Sequence, residues 1–438
     1  MQNKINIGLI GAGTVGGGTY KILKENFSEI FRKTGMELVV SALAEKDLNR
    51  AKEVVDDKTK IYEDAFDLVK DKTIHIIVEL IGGTGISKDL VEEAIKNNKH
   101  VVTANKALIA MHGKELVSLA NKHNVNLAYE AAVAGGIPII KSLREGLVGN
   151  KIEWVVGILN GTTNYILTEM KENNLAFDVA LKQAQELGFA EADPTFDIEG
   201  VDAAHKITIL ASIAFGIPIN FGAVHIEGIS NLNQKDIMYA EELGYKIKLL
   251  GITKCIKDSV ELRVHPTLIP EKRLVANVDG PMNAVLVQGN MVGPTLYYGA
   301  GAGSEPTASA VVSDIVDLAR NLESNNTTTI PILGFIKDAI KEKKILSIED
   351  ITSEFYLRLS MKKEPGMLAQ ITQVFAEHSI SIDSMVQKEI HEDDKVVDII
   401  LVTSNMIERE ANEIINEIEA LPENKNKAVK LRIEQLNR

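Results

Sequence analysis

The chain has 438 residues, of which 45% are hydrophobic and 25% charged, a composition typical of globular proteins. Its formal net charge of −13 argues against nucleic acid or an anionic membrane surface as the main partner. A single cysteine, Cys255, excludes an intrachain disulfide and fits a reducing compartment, so we expect a cytoplasmic protein. No apolar run is long enough to span a membrane, and the first residues are not typical of a signal peptide. The length predicts about three domains.

Strands alternate with helices in the first part of the sequence. Residues 4–10 form a short apolar run that predicts a buried strand, and a glycine-rich turn and a helical pattern follow it. Further strands are predicted at 37–44, 74–81, 100–104 and 124–129, with a helix at 87–98 that Ser87 would cap. This alternation predicts an α/β fold of the Rossmann type, with a doubly wound parallel sheet, over residues 1–135.

The middle of the sequence has a different pattern. Helices are predicted at 177–188, 200–215 and 233–250, and strands at 154–159 and 260–264. This mixture predicts an α+β domain over residues 136–305. An apolar-periodic helix near 306–322 would return to the first domain.

The C-terminal part is predicted to be an independent small domain. Polarity rises over 323–352, which marks a linker. Strands follow at 354–361, 380–389, 396–403 and 429–433, and helices at 367–378 and 408–421. This order predicts a ferredoxin-like domain over residues 353–438.

Residues 11–16, Gly-Ala-Gly-Thr-Val-Gly, match a dinucleotide-binding motif between a strand and a helix. The first glycine allows the tight turn, the second lets the backbone approach the pyrophosphate, and the third lets helix and strand pack closely. A simple strand–helix turn is the alternative, which this context disfavours. At the end of the second strand, Glu45 would favour NAD, whereas Lys46 with Arg50 would favour the 2′-phosphate of NADP. The cofactor therefore stays open at this point.

Three further segments follow predicted strands, where ligands gather in an open α/β sheet. Lys106 would point toward the cofactor, with an ordinary surface lysine as the alternative. The segment 160–164, Asn-Gly-Thr-Thr-Asn, could cap a helix or offer free N–H groups to a substrate carboxylate. The loop 130–138 could hold a hard cation through oxygen ligands, although its chemistry alone favours a tight crossover between domains.

The segment 191–206 holds five carboxylates and one lysine, and it leads directly into an almost wholly apolar helix. A helix that is apolar on most faces is usually buried, so Lys206 needs a partner such as Asp202 one turn earlier. The carboxylates could bind an ammonium group, and Lys206 could give a proton to a developing alkoxide. A purely structural Asp202–Lys206 salt bridge is the alternative. The nine histidines show no metal-ligand spacing, and no Gly-x-Ser-x-Gly motif supports serine hydrolysis.

Together these motifs closely resemble the homoserine dehydrogenase family, in its monofunctional form with a C-terminal ACT domain. The resemblance covers nearly the whole chain, and no kinase-like half precedes the dehydrogenase motifs. It is carried by the segments 8–16, 103–106, 129–138, 159–167, 187–206 and 301–303. It implies interconversion of L-aspartate 4-semialdehyde and L-homoserine in threonine, methionine and isoleucine biosynthesis, with NADP as cofactor or NAD in its place.

The resemblance also implies roles for matching residues. Lys206 and Lys106 would be catalytic, and Glu191, Asp202 and Asp197 would bind the substrate. The cofactor contacts would be Gly11, Gly13, Thr14, Val15, Gly16, Lys106, Gly188, Glu191 and Gly303. A monovalent cation, Na+ or K+, would be held by the Glu130 carboxylate and by the backbone carbonyls of Val133, Gly135 and Ile137.

The segments 363–371 and 380–382 resemble an ACT domain, which commonly senses an amino acid. Threonine would be the effector, although Glu364 stands where the family often has Asp. The family resemblance further implies that the domain over residues 136–305 binds the substrate and forms the dimer contact of a homodimer or homotetramer. Two rival functions are a dehydrogenase for another small amino-acid aldehyde and a non-catalytic sensor, and the lysines argue against the sensor because it needs no proton donor.

Overall fold

The computed structural model describes residues 4–323, 330–389 and 395–436. Within these ranges, no helix has both the length and the apolar character that a membrane span requires. The strands form two sheets, one of six strands and one of twelve. The smaller sheet belongs to the N-terminal part, and the larger one runs from the middle of the chain into the C-terminal part.

The N-terminal sheet is wholly parallel and has the order β3-β2-β1-β4-β5-β6. Its strands are β1 (Lys4–Ile10), β2 (Glu37–Ala44), β3 (Lys60–Tyr62), β4 (Ile76–Glu79), β5 (His100–Thr103) and β6 (Leu127–Ala128). Its helices are α1 (Thr14–Glu25), α2 (Phe27–Thr34), α3 (Leu48–Val54), α4 (Ala65–Lys70), α5 (Ile86–Lys96) and α6 (Lys106–His123). This strand order is the one expected of a dinucleotide-binding fold, and it confirms the predicted Rossmann-type sheet.

One predicted cap in this domain is wrong. Gly85, not Ser87, immediately precedes α5, and Ser87 already lies inside the helix. The Ser87 hydroxyl donates 2.5 Å to the carbonyl of Gly82 instead. It therefore fastens the preceding glycine turn to the helix rather than capping the helix N–H groups.

The middle of the chain packs helices against an antiparallel half-sheet with the order β12-β11-β7-β9-β10. Its strands are β7 (Ile152–Ile158), β8 (His225–Ile226), β9 (Tyr245–Ile256), β10 (Ser259–Pro270), β11 (Met282–Gly289) and β12 (Gly293–Ala300). Its helices are α7 (Ile139–Lys141), α8 (Gly161–Glu172), α9 (Phe177–Glu186), α10 (Thr195–Ile198), α11 (Val201–Phe215) and α12 (Gln234–Glu242). Helix α11 is buried along almost its whole length, as its apolar sequence predicts.

The predicted helix over 233–250 is wrong in its second half. Helix α12 ends at Glu242, and Gly244 with a φ of +79° turns the chain into strand β9. A glycine adopts this left-handed conformation without the steric cost of a Cβ atom. The residues beyond it first alternate lysine with isoleucine and leucine, as strands do, but strand β9 is buried on both faces from Ile247 to Thr253, Lys248 included.

Helix α13 (Ser304–Glu323) leaves strand β12 and packs on the N-terminal domain. Val311 and Ile315 of this helix join Ile7 and Leu9 of strand β1 in one apolar cluster. The hydroxyl of Ser304 also donates 2.8 Å to the carbonyl of Thr14 in the glycine-rich turn. Helix α13 thus ties the end of the middle domain to the start of helix α1.

The C-terminal elements are β13 (Lys344–Ile345), β14 (Thr352–Lys362), α14 (Met367–Glu377), β15 (Ile382–Glu389), β16 (Val396–Thr403), β17 (Met406–Ile407), α15 (Glu408–Glu419) and β18 (Val429–Ile433). Their sheet has the order β18-β14-β16-β15, and helices α14 and α15 supply apolar residues to one cluster with its strands. The arrangement is ferredoxin-like, as predicted.

The C-terminal sheet continues the middle sheet, because β18 pairs in parallel with β10. Arg432 on β18 is buried and binds both Glu408 at 2.6 Å and Glu227 of the middle domain at 2.8 Å. Asp236 of helix α12 accepts a bidentate pair from Arg358 of β14 at 2.6 and 3.0 Å. The two units therefore share strand pairing and buried ion pairs rather than a simple tether.

Candidate active site

A cavity of about 520 Å³ lies beyond the ends of strands β5 and β7, between the N-terminal and middle domains. It is lined by both predicted lysines and by the predicted acids and glycines of the middle domain, namely Lys106, Lys206, Glu191, Asp197, Asp202, Gly188 and Gly303. These residues come from three separate stretches of the sequence, 106, 188–206 and 303. The fold therefore brings together one predicted set of site residues in one place.

The buried carboxylate of Asp202 is the centre of the cavity's charge network. Its Oδ1 lies 2.5 Å from the Nζ of Lys106, which is the first residue of α6. Its Oδ2 lies 2.7 Å from the Nζ of Lys206, one turn further along α11. The amide of Asn160 donates 2.8 Å to the same Oδ2, and Lys206 donates a further hydrogen bond of 2.6 Å to the carbonyl of Leu159.

The three charges of this network have different pKa shifts. Burial alone would raise the pKa of Asp202, but the two lysines hold it well below its ordinary value. Burial lowers the pKa of Lys206, and Asp202 only partly opposes this effect. Burial also acts to lower the pKa of Lys106, but Asp202 outweighs it and the pKa is raised. Lys206 is thus the lysine closer to releasing its proton, and Lys106 is the one that keeps its charge.

The other two predicted acids have different surroundings. Asp197 accepts 2.7 Å from the amide of Asn160, and burial together with the neighbouring Asp202 raises its pKa. Glu191 is exposed at the cavity rim and makes no ion pair with any residue that the structure describes. Glu191 is therefore free to bind a cationic group that enters the cavity.

The glycine-rich turn has the backbone geometry of a phosphate-binding turn. Gly11 follows β1 with a φ of +101°, and a Cβ atom on Gly16 would lie 2.0 Å from the carbonyl oxygen of Gly11. No larger residue fits at Gly16 without moving backbone. Gly13 precedes helix α1 and has no side chain to cap it, so the first N–H groups of α1 stay available for an anion.

An acidic and a basic residue that follow β2 in the sequence, Glu45 and Arg50, both contact this turn. The carboxylate of Glu45 accepts 2.9 Å from the N–H of Ala12, and Arg50 donates 3.1 Å to the carbonyl of Ala12. The Cβ position of Gly13 lies 3.6 Å from the guanidinium of Arg50. Glu45 is therefore held by backbone, whereas the other guanidinium nitrogens of Arg50 lie beside the turn.

The loop 130–137 uses its carboxylate differently from the prediction. Both oxygens of Glu130 accept backbone hydrogen bonds of 2.8 Å, from Ile140 and Lys141, so the carboxylate caps the next helical turn. The expected carboxylate ligand of a cation is thus engaged with the chain itself. In contrast, no donor among the described residues reaches the carbonyl oxygens of the buried Val133 and Gly135.

Two asparagines of the cavity add to the predicted set. Asn160 was expected either to cap a helix or to border the substrate, and it caps α8 through Thr163 while its Nδ2 holds Asp197 and Asp202. Asn283 was missed, because the hairpin β11–β12 that carries it was not predicted. A run of alternating apolar residues after Met282 is the only signal that could have found it.

A Rossmann-type domain beside a cavity with paired lysines and acids defines a nicotinamide-dependent dehydrogenase of a small amino-acid substrate. Residues 11–130 match the family model "Homoserine dehydrogenase, NAD binding domain", residues 138–316 match "Homoserine dehydrogenase", and residues 355–423 match "ACT domain". The chain belongs to the homoserine dehydrogenase family. The family, the fold class and the enzyme class predicted from the sequence are thereby confirmed.

Individual relatives agree with this assignment. The chain is 51% identical over 433 residues to the homoserine dehydrogenase of Pseudomonas aeruginosa, covering 99% of both chains. A crystal structure of a homoserine dehydrogenase from Thiobacillus denitrificans is 53% identical with a TM-score of 0.95, covering 100% of both chains. A hyperthermophilic archaeal homoserine dehydrogenase in complex with NADPH is 29% identical with a TM-score of 0.62, covering 72% of this chain and 97% of the archaeal one.

Asp202→Asn should destabilise the protein in a pH-dependent way. The variant leaves the buried Lys206 without its anion, which costs on the order of 3–5 kcal/mol near neutral pH. Burial already lowers the pKa of Lys206 in the folded protein, and the loss of Asp202 lowers it further below the pKa of the unfolded chain. At a pH between these two pKa values the unfolded chain binds more protons than the folded protein. The stability of the variant therefore rises with pH. Chemical unfolding at about pH 7 and about pH 9.5 should show that the variant's loss in unfolding free energy, relative to the unaltered protein, is smaller at the higher pH.

Asp193→Asn is the matched control. Asp193 lies in the same acidic segment but is exposed and pairs with a backbone N–H rather than with a lysine. Its replacement should change the unfolding free energy by less than about 0.5 kcal/mol at either pH. If Asp202→Asn loses no unfolding free energy, or loses the same amount at both pH values, the buried pairing of Lys206 with Asp202 is contradicted.

Proposed function

We propose that the chain interconverts L-aspartate 4-semialdehyde and L-homoserine with Lys206 and Lys106 as its catalytic residues. One observation carries the proposal: two lysines from different domains share one buried carboxylate inside a cavity that is also lined by Gly303, the neighbour of the Ser304 that binds the glycine-rich turn. A cavity that only bound an amino acid would not need a lysine whose pKa is lowered by burial.

The residues around the cavity fit a nicotinamide cofactor. The turn at Gly11, Gly13, Thr14, Val15 and Gly16 would hold its pyrophosphate at the open N-terminus of α1. Lys106, Gly188, Glu191 and Gly303 line the cavity where its reactive end would lie. When bound, the cofactor supplies or accepts a hydride at the carbon that carries the substrate oxygen.

Lys206 is proposed to move the proton that accompanies the hydride. In aldehyde reduction its Nζ would donate to the substrate oxygen as that oxygen becomes a hydroxyl, and in homoserine oxidation it would take the proton back. Lys106 stays charged and would stabilise the developing negative charge on the same oxygen. Asp202 keeps both Nζ atoms in place, and Glu191 with Asp197 would bind the substrate ammonium.

We propose NADP as the preferred cofactor, with NAD as an alternative. The carboxylate of Glu45, which would select NAD, is held by the N–H of Ala12. Arg50 lies beside the same turn and could pair with a 2′-phosphate, as could Lys46. The archaeal relative, whose structure contains NADPH, supports this preference.

We propose a monovalent-cation site at the loop 130–137 that uses backbone oxygens. The carbonyls of Val133 and Gly135, which no donor of the described residues reaches, fit a hard cation. The carbonyls of Glu130 and Ile137 belong to the same tight loop and each accept one backbone hydrogen bond. The left-handed backbone of Ala134 and Gly135 turns this loop sharply. Burial and the neighbouring Asp314 raise the pKa of Glu130 to about 7, and a cation bound at the loop would favour its charged form while the carboxylate holds the next turn.

We propose threonine as an effector of the ACT domain and a homo-oligomer as the working form. The family match at residues 355–423 supports amino-acid sensing. Buried pairs such as Asp236 with Arg358 would connect an occupied ACT domain to helix α12. Helix α12 in turn holds the end of α8, because Gln234 donates 2.7 Å to the carbonyl of Met170.

Lys206→Ala should lower the kcat of homoserine oxidation by about 10²-fold to 10⁴-fold, because the reaction loses its proton acceptor. The affinity for NADP, measured by fluorescence titration, should change little. Lys182→Ala, which removes an exposed lysine of helix α9, is the control and should leave both values unaltered. A Lys206→Ala enzyme with near-normal turnover would remove Lys206 from the mechanism.

One set of steady-state rates tests the finer assignments. Homoserine oxidation should give a higher kcat/KM with NADP than with NAD, because Arg50 can pair with the extra phosphate.

Replacing Na+ or K+ by tetramethylammonium at equal ionic strength should lower the rate of homoserine oxidation, since that ion is too large for the carbonyl loop. Added threonine should also lower the rate of homoserine oxidation. Equal rates in any of these comparisons would refute that assignment alone.

A further inference from the structure

The side chain of Asn283 is a buried amide without a protein partner. It is 1% exposed and lines the catalytic cavity from strand β11. Neither its Oδ1 nor its Nδ2 has a hydrogen-bond partner among the described residues. It is wedged against Gly301, where a Cβ atom would lie 2.1 Å from its Cγ, so its position is fixed by close backbone packing.

An unpartnered buried amide is costly for a folded protein. Each unsatisfied polar group loses its hydrogen bonds to water without replacement, and such groups are rare in native proteins. Asn283 has its acceptor oxygen and its donor nitrogen, with two N–H groups, both unpaired on the same planar group. A ligand that satisfies it must therefore offer a donor and an acceptor side by side.

The surroundings of Asn283 identify which group is missing. Its amide lies beside the start of helix α8, with Oδ1 3.6 Å from the Cβ position of Gly161, and a half-turn of the amide about its Cβ–Cγ bond would present Nδ2 at this place instead. Within the described residues, the N–H of Thr163 is capped by Asn160, whereas the N–H groups of Gly161 and Thr162 have no acceptor. A helix N-terminus with free N–H groups attracts an anion such as a carboxylate.

The cavity provides few other donors for a carboxylate. No arginine lines it, and both of its lysines are engaged by Asp202. The hydroxyl of Thr162 donates to the carbonyl of Phe189 at 2.6 Å. Among the described residues, the donors left to the cavity include the N–H groups at the start of α8 and the Nδ2 of Asn283, which lie side by side.

We propose that Asn283 binds the amino-acid headgroup of the substrate. Its Nδ2 donates to the α-carboxylate beside the start of α8, and its Oδ1 accepts from the α-ammonium, which Glu191 binds from the rim. This assignment rests on the proposed function and names the residue that recognises the headgroup. Asn283 thereby fixes the reacting end of the substrate toward Lys206.

The test compares L-homoserine with 3-aminopropan-1-ol, which is the same alcohol without its α-carboxylate. The measured quantity is the ratio of kcat/KM for the two alcohols, or the ratio of their inhibition constants if the truncated one turns over too slowly. Asn283→Ala should lower the ratio by about 10-fold to 100-fold, the effect expected for a lost hydrogen bond to a charged group. The KM for NADP should stay unchanged.

Asn283→Asp sharpens the test because it keeps the shape and adds a negative charge. It should lower the ratio further, since the new carboxylate repels that of homoserine and attracts the ammonium of the truncated alcohol. Gln288→Ala is the matched control: Gln288 is a buried amide of the same strand, bonded to the carbonyl of Gly289 outside the cavity. This control should leave the ratio unaltered.

Two results would overturn the proposal. An equal loss for both alcohols with a raised KM for NADP would assign Asn283 to the nicotinamide carboxamide. An unchanged ratio with a lowered melting temperature in both variants would make Asn283 purely structural. Homoserine turnover by the unaltered protein is measured first, so a failure of the proposed function is distinguished from a failure of Asn283.

Discussion

Asp202 binds two lysines that come from different domains, and the geometry of the site depends on this shared carboxylate. Lys206 reaches it from the same helix, and Lys106 reaches it from the start of α6 in the nucleotide-binding domain. Without Asp202 the two cations would repel each other in a cavity where burial already disfavours the charge of Lys206. The carboxylate therefore performs two tasks. It joins the two domains at the cavity, and it opposes the effect of burial on the pKa of both lysines, which burial still lowers at Lys206 but not at Lys106.

The rest of the fold supports this one contact. Helix α11 is buried on nearly all faces, so the position of its first turn is fixed by packing. Asn160 caps α8 and holds the acids at the same time, which couples the start of one helix to the charges on another. Helix α13 returns to the nucleotide-binding domain and fastens the glycine-rich turn through Ser304. The C-terminal sheet adds buried ion pairs at helix α12, which connects the ACT domain to the far end of α8.

Sequence periodicity was sufficient for the alternating N-terminal sheet and for the Asp202–Lys206 pair, because both depend on residues close along the chain. It was insufficient for contacts between distant segments, such as Lys106 with Asp202, which only the packing of two domains creates. The segment 233–250 is apolar enough for a helix or a strand, and a single left-handed glycine, Gly244, decided between them. The carboxylate of Glu130 was assigned by resemblance to a cation, but local geometry turned it toward two backbone N–H groups.

The central claim is that Asp202 and Lys206 act as one unit, and a double-mutant cycle tests it most directly. The kcat/KM of homoserine oxidation is measured for the unaltered enzyme, Asp202→Asn, Lys206→Met and the double variant. Groups that act as a unit show strongly non-additive effects, so the double variant should be about as slow as the slower single variant. Losses that multiply across the two sites would contradict the shared role of the buried pair.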